Sequence, residues 1–395
     1  MQYYGEMKLL GDHYAGGFSC GMTMCGSSME QFKETSRSKE KITYQNEDDI
    51  ELRVKLQEEE KDVIRLQSEL INGSQKPITA EMLASFAIKG IEADKIHRLQ
   101  SFWSAEGKLR TETICDLHLE PSWNRCGLRI EKFGNVGSMP VRKYFPFLAL
   151  ENSQTGEVIG IQLYCASSWQ IEILCKEDET LSVVGGLADF DFGHWKKTLL
   201  PGEAFTTPEA VVAKGYSLYE VCDKLVKAQK PLISPIDNQM GILFNEYCTT
   251  WGNPSYENMK KICDKIAGKG IQFLVIDSGW YGKNDNWWDS IGDWEVNEEK
   301  FPGGMKPIAD YIRSKGMIPG LWFEMESLAH DSKYYNASEH LIKRNGIPLT
   351  VGGRRFWDME DPWVVDYLSK KVIKQLKDSG FGYLKVDYND SMGMG

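Results

Sequence analysis

The sequence predicts two folds in series, an antiparallel β-sandwich followed by a parallel α/β sheet of barrel type. Three observations point there. Apolar residues recur with period two over about residues 40–190, strand and helix patterns alternate from Gly241 onward, and each strand of the second half ends in polar or aromatic residues. With 395 residues the chain exceeds one ordinary domain and can bury two cores. The division falls at residue 237: residues 1–237 make the β-sandwich domain, closed by a helical linker at about 216–237, and residues 238–395 make the α/β part.

In the first half Ile50, Leu52, Val54 and Leu56 alternate with charge, and Ile64, Leu66 and Leu70 resume the alternation, which is the pattern of a hairpin. The intervening Glu58-Glu59-Glu60-Lys61 run reads as a charged turn, and Asn72-Gly73 marks the next turn. Further strands are expected at Glu112 to Leu119, Leu128 to Phe133, Val158 to Ser167 and Trp169 to Cys175. Tyr216 to Gln229 has helical spacing, and the Pro231-Leu-Ile-Ser-Pro235 segment cannot continue a helix.

In the second half strands are expected at Gly241 to Tyr247, Ile271 to Asp277, Ile318 to Glu326 and the run from Phe381 to Asn389. Helices between them cover Ser255 to Ala267, Met305 to Ser314, and a segment that opens with an Asp361-Pro362 cap and ends at Gly380. Repeated β-then-α units imply a parallel sheet with right-handed crossovers. A closed eight-unit barrel needs about 250 residues, so four units read as a truncated barrel rather than a complete small fold.

A formal charge of -11 with no basic run disfavours nucleic acid and anionic membranes as partners. No stretch reaches the length of a bilayer span, and a cytoplasmic location is expected. The nine cysteines are scattered, and the nearest pair, Cys20 and Cys25, lacks metal-ligand spacing, so reduced thiols are expected. The six histidines form no HxH pair at a strand end, and neither a metal nor an organic cofactor is expected.

Chemistry collects at the strand ends. Because side chains alternate along a strand, Lys385, Asp387 and Asn389 share one side, and a lysine beside Asp387 favours its ionised form. An ionised, oriented carboxylate is what a covalent glycosidase nucleophile requires. Strand ends also carry Asp277, Glu324 and Tyr247. Eight of the twelve tryptophans fall between Trp251 and Trp363, a concentration that suits either core packing or the aromatic platforms on which sugar rings lie. Trp294, in Gly292-Asp293-Trp294, is the preferred binding candidate.

Read in order, Asp277-x-Gly279-Trp280, Gly292-Asp293-Trp294, Gly320-Leu-Trp-Phe-Glu324-x-Glu326, the Asp358 to Pro362 stretch and Lys385-x-Asp387 resemble glycoside hydrolase family 36, the α-galactosidase-like retaining enzymes. The match runs across residues 241 to 390, and the upstream half, with Trp103-Ser-Ala-Glu106-Gly107, looks similar with less diagnostic residues. The resemblance implies an N-terminal β-supersandwich followed by the first half of a (β/α)8 TIM barrel. It implies Asp387 as nucleophile, Asp277 and Lys385 on sugar hydroxyls, Trp294 on the sugar face, and Arg354 or Arg355 on a further hydroxyl. Asn389 and Glu324 are secondary candidates from strand position, and Tyr247 stands where a tryptophan is common. Ser278 replaces the second of a frequent aspartate pair, which puts the galactose preference in question. The family's acid/base aspartate lies on a later strand, so the expectation is that this chain lacks it and by itself is inactive or severely impaired.

The function so implied is hydrolysis of terminal α-galactosidic bonds, with an α-galactoside or related oligosaccharide as partner. A transglycosylase of the same fold and a non-catalytic carbohydrate-binding protein are the alternatives. Open edges of an incomplete parallel sheet also favour pairing with another copy, so a homo-oligomer is an expected state.

Overall fold

The computed structural model describes residues 1–12, 27–102, 104–119, 129–139, 141–175, 180–282, 286–390 and 392. Cys20, Cys25, Trp103, Leu128 and most of the final six residues lie outside that set. The chain divides into two compact units, Met1–Pro231 and Leu232–Gly393.

The first unit is built from antiparallel sheets. One runs in the order Lys33–Arg37, Lys41–Gln45, Ile50–Glu60, Val63–Asn72, Ala210–Gly215, Val158–Leu163, Phe147–Glu151, Lys95–Gln100 and Lys108–Thr113. The other centres on Ile78–Ile91, Leu181–Leu187, Trp169–Cys175 and Arg129–Asn135. Alternation does its expected work: Leu52, Val54, Leu66 and Leu70 are fully buried and share a core with Phe86, Ile171 and Val183 of the second sheet.

Several elements differ from expectation. The strand Ile50–Glu60 runs through the acidic stretch read as a turn, with Glu60 opposite Val63 and the reversal moved to Lys61-Asp62, where Asp62 is left-handed. The ladder tolerates that charge because Glu59 is paired to Arg65 at 2.8 Å and to Lys230 at 2.5 Å. The strand placed at Glu112 to Leu119 lies earlier, at Lys108–Thr113; Asp116 then turns the chain by accepting the Thr113 N–H at 2.8 Å. The longest strand, Ile78–Ile91, escaped the period-two reading because apolar residues occupy both of its faces.

The helix Leu218–Ala228 starts at Ser217, whose hydroxyl accepts the Glu220 N–H at 3.1 Å. Val221, Leu225 and Ala228 pack on the outer face of the sheet, against Val158, Val211 and Ala213. Gly160 makes the close approach possible, since a Cβ there would stand 2.2 Å from Val221 Cγ1.

The second unit holds a four-stranded parallel sheet, β1 (Ile242–Asn245), β2 (Ile271–Ile276), β3 (Ile318–Phe323) and β4 (Tyr383–Val386), in that order. Helix α1 (Tyr256–Ile266), capped by Ser255, follows β1, and α2 (Lys306–Ser314) follows β2. A β-rich insert with strands Ser327–Leu328, Thr350–Val351 and Arg354–Phe356 separates β3 from α3 (Pro362–Leu368). Asp361 caps α3 by accepting the Trp363 N–H at 2.8 Å. The single helix expected up to Gly380 is interrupted by a π-turn at Ser369–Ile373 before α4 (Lys374–Ser379), and Gly380 closes it at φ 76°.

Gly160→Ala is expected to destabilise the first unit by about 1–3 kcal/mol through overpacking against Val221. Chemical denaturation should show that the added Val221→Ala change recovers part of the loss, and equal stability of Gly160→Ala and the parent would contradict the packing argument.

Candidate active site

Each parallel strand delivers one or more functional side chains just past its last paired residue, where a sheet of this kind opens its crevice. Glu246 follows β1, Asp277 follows β2, Trp322 and Glu324 sit at the end of β3, and Lys385, Asp387 and Asn389 belong to or follow β4.

Lys385 is the junction. Its Nζ lies 2.7 Å from Asp277 Oδ2 and 3.9 Å from Asp387 Oδ2. Asp277 is 3 % exposed, and its Oδ1 accepts the Ser278 N–H at 2.8 Å. Asp387 is held by its own N–H, which donates to Phe323 O at 3.0 Å, and by Trp322, whose Nε1 donates to Asp387 Oδ2 at 3.0 Å. The Asp387 side chain keeps 39 % of its surface exposed, so a carboxylate with fixed direction faces the opening.

A second cluster adjoins it. Glu324 Oε1 accepts from Ser327 Oγ at 2.6 Å and from Arg354 Nη1, while Oε2 accepts from Asn389 Nδ2 at 2.7 Å. Arg354 is fully buried, its guanidinium 4.0 Å from the centre of the Trp288 ring. Arg355 turns the other way, donating to Tyr335 O at 2.6 Å and Asn336 Oδ1 at 2.9 Å within the insert. Of the two arginines offered as alternatives for one role, Arg354 reaches the strand-end cluster and Arg355 is engaged within the insert.

Tyr247 sits in a short helical turn, Tyr247–Thr250, edge-on to Trp251 at 5.8 Å and to Trp287 at 6.3 Å. Trp287 in turn meets Trp322 edge-on at 6.1 Å, so an aromatic wall leads from Tyr247 towards Asp387. Trp294, expected on a sugar face, lies behind this wall, 1 % exposed and packed among Trp280, Tyr281, Trp322 and Phe323.

Two participants escaped the sequence reading. Trp322 stands in register with Lys385 across β3 and β4, a relation that only strand pairing reveals. Glu246 is fully buried and accepts the Asp277 N–H at 3.0 Å and the Thr250 hydroxyl at 2.6 Å. Burial raises the Glu246 carboxyl above its ordinary range, more than its two hydrogen bonds and Lys385 lower it. Glu326 is also raised, by burial and then by Glu324. Burial likewise pushes the Tyr281 phenol well up, helped by Glu324. Among the described residues no three His, Cys, Asp or Glu side chains converge to hold a metal ion.

A carboxyl raised on folding binds an extra proton in the folded state. The stability from that proton is fully present below the ordinary carboxylate range and is lost as pH rises through the raised value. Glu246→Gln, with an oxygen for Asp277 N–H and an amide for Thr250, is expected to flatten the fall of stability, measured by urea unfolding, as pH rises above the ordinary carboxylate range. Some slope persists through Glu326, and an unchanged slope would show that Glu246 does not hold the proton.

Comparison with known proteins finds related sequences and a shared fold. Residues 204–394 match the family model described as Melibiase. The α-galactosidase Mel36A of Lactobacillus acidophilus is 26 % identical over 341 residues, covering 81 % of this chain and 43 % of that protein. The α-galactosidase AgaA of Geobacillus stearothermophilus is 29 % identical over 262 residues, covering 62 % and 35 %. The chain therefore spans less than half the length of these curated relatives. The crystal structure of AgaA superposes with a TM-score of 0.79 at 22 % identity, over 99 % of this chain and 52 % of that one. That of the Lactobacillus brevis α-galactosidase gives 0.76 at 19 %, over 100 % and 51 %. The β-rich first unit and the four β/α units thus have the glycoside hydrolase family 36 fold, with a partial curled parallel sheet equivalent to half a barrel. By its family-model match over residues 204–394 and its α-galactosidase relatives, the chain is similar to the melibiase family, glycoside hydrolase family 36.

Proposed function

We propose that the chain carries the nucleophile half of a retaining α-galactosidase site, acting on terminal α-galactosidic bonds of oligosaccharides. The observation that carries this reading is the setting of Asp387, which is half-exposed at the end of β4, with Oδ2 tied to the Trp322 indole N–H at 3.0 Å and Lys385 at 3.9 Å. Related AgaA variants have been crystallised with raffinose and with stachyose, which supports oligosaccharides of this class as substrates.

In the proposed reaction an Asp387 oxygen attacks the anomeric carbon as the bond to the leaving oxygen breaks, giving a covalent glycosyl ester that water then hydrolyses. A second carboxyl must protonate the leaving oxygen, and we assign no residue of this chain to that role. Asp277 and Lys385, already bonded to each other, offer an acceptor and a donor to sugar hydroxyls. Arg354 and Asn389 reach the site through Glu324 and support its far side. Tyr247 supplies an aromatic edge at the entrance. Ser278 gives a neutral hydroxyl where a second carboxylate is frequent, so the clamp on the sugar carries one negative charge less.

A leaving group that needs no proton isolates the first step. Incubation with an activated, fluorinated aryl α-galactoside is expected to esterify Asp387, detected by peptide mass, and Asp387→Asn should abolish labelling. Asp277→Asn should slow labelling by about tenfold or more, the loss of one charge-assisted contact. Label on a different carboxylate would remove the assignment.

A further inference from the structure

Among the carboxyls at the strand ends, Glu246 is the one that the proposed chemistry leaves unused. It is fully buried and meets its neighbours on three sides. Its N–H donates to Val275 O at 3.2 Å, tying it to β2. Oε1 accepts the Asp277 N–H at 3.0 Å, and Oε2 lies 2.6 Å from Thr250 Oγ1 in the adjoining helical turn.

The Asp277 N–H is the first donor past the end of β2, whose ladder with β3 stops at Ile276 and Leu321. A buried backbone N–H needs an acceptor, and at this point the acceptor is a side chain from the neighbouring strand end. That bond sets the direction in which the Asp277 Cα–Cβ vector leaves the sheet, and Asp277 then spans to Lys385 at 2.7 Å. We propose that Glu246 is a positioning residue: by accepting the Asp277 N–H while locked to Thr250, it holds the end of β2 in the turn from which Asp277 engages Lys385. The inference rests on the reading of Asp277 and Lys385 as the sugar's hydroxyl partners, and adds the group that orients them.

The charged neighbours agree. Asp277 disfavours ionisation of Glu246 and Lys385 favours it, and burial, the largest influence, holds the carboxyl above its ordinary value. A neutral acid accepts the Asp277 N–H with one oxygen, and its other oxygen meets the Thr250 hydroxyl, a group that can donate or accept. A carboxylate would instead place two like charges back to back behind the sugar. Glutamine reproduces the neutral pattern and alanine deletes it.

Two measurements on the full chain test this, with cooperative unfolding confirmed for each variant. The first is a double-mutant cycle in urea unfolding with Glu246→Ala, Lys385→Met and the double variant. If Glu246 aims Asp277 at Lys385, the cost of Lys385→Met should shrink by at least half once Glu246 is alanine; additive costs would overturn the proposal. The second is affinity for 1-deoxygalactonojirimycin, a galactose-shaped iminosugar. Glu246→Ala should weaken it by about tenfold, as expected when a buried donor loses its acceptor, and Glu246→Gln should restore most of the loss. Equal weakening by glutamine and alanine would also overturn it. A parent chain that binds no iminosugar yet gives a non-additive cycle would retire the sugar reading of the site while supporting the positioning of Asp277.

Discussion

The ion pair between Lys385 and Asp277 is the constraint on which the second unit depends, because it joins strands that are not neighbours. β3 lies between β2 and β4, and adjacent strands stand about 4.8 Å apart, so a flat sheet would hold the two backbones nearly 10 Å from one another. A 2.7 Å contact over the intervening strand needs a long side chain and a sheet curled towards the side on which both project. Gly320 on β3 leaves room for that curl, since a Cβ there would sit 2.8 Å from Val275 and 3.1 Å from Tyr383 on the flanking strands. Curvature, register and charge pairing are therefore one requirement expressed three ways.

The same contact organises the polar interior around it. Asp277 is nearly buried and needs a cation, while Glu246 beneath it is more deeply buried, and burial raises its carboxyl. The neighbouring cluster repeats the arrangement, with Arg354 fully buried against Glu324 and stacked on Trp288. In both places a carboxylate is buried against a cation, Lys385 partly exposed and Arg354 fully buried, and the remaining carboxylate lone pairs go to Ser278, Ser327 or Asn389. The aromatic residues exclude water from these pairs, which strengthens them and fixes their directions.

Much of this was legible in the residues. Buried parallel strands announce themselves as short apolar runs, and β2 and β3 lie inside the runs predicted for them, bounded by polar ends. Caps are local chemistry, and Ser217, Ser255 and Asp361 act as such residues usually do. What failed was what depends on distant neighbours. Trp294 and Trp322 have the same side chain and are both buried, and nothing within a few residues of either says that Trp322 is the one that directs its N–H at Asp387. Glu246 was not singled out, because its partner Asp277 lies 31 positions away and its burial follows from how the strand ends pair. Ile78–Ile91 lacked alternation because it is covered on two sides, a property of the assembled sandwich.

Lys385 stands unevenly between its two carboxylates, close to the buried one and 1.2 Å farther from the open one. Its charge is turned chiefly to the buried carboxylate, which leaves Asp387 less fully neutralised. On the function proposed above, a ring that gathers positive charge, whether fleetingly as an oxocarbenium centre or permanently as an ammonium, would be drawn to Asp387 more strongly than its neutral twin.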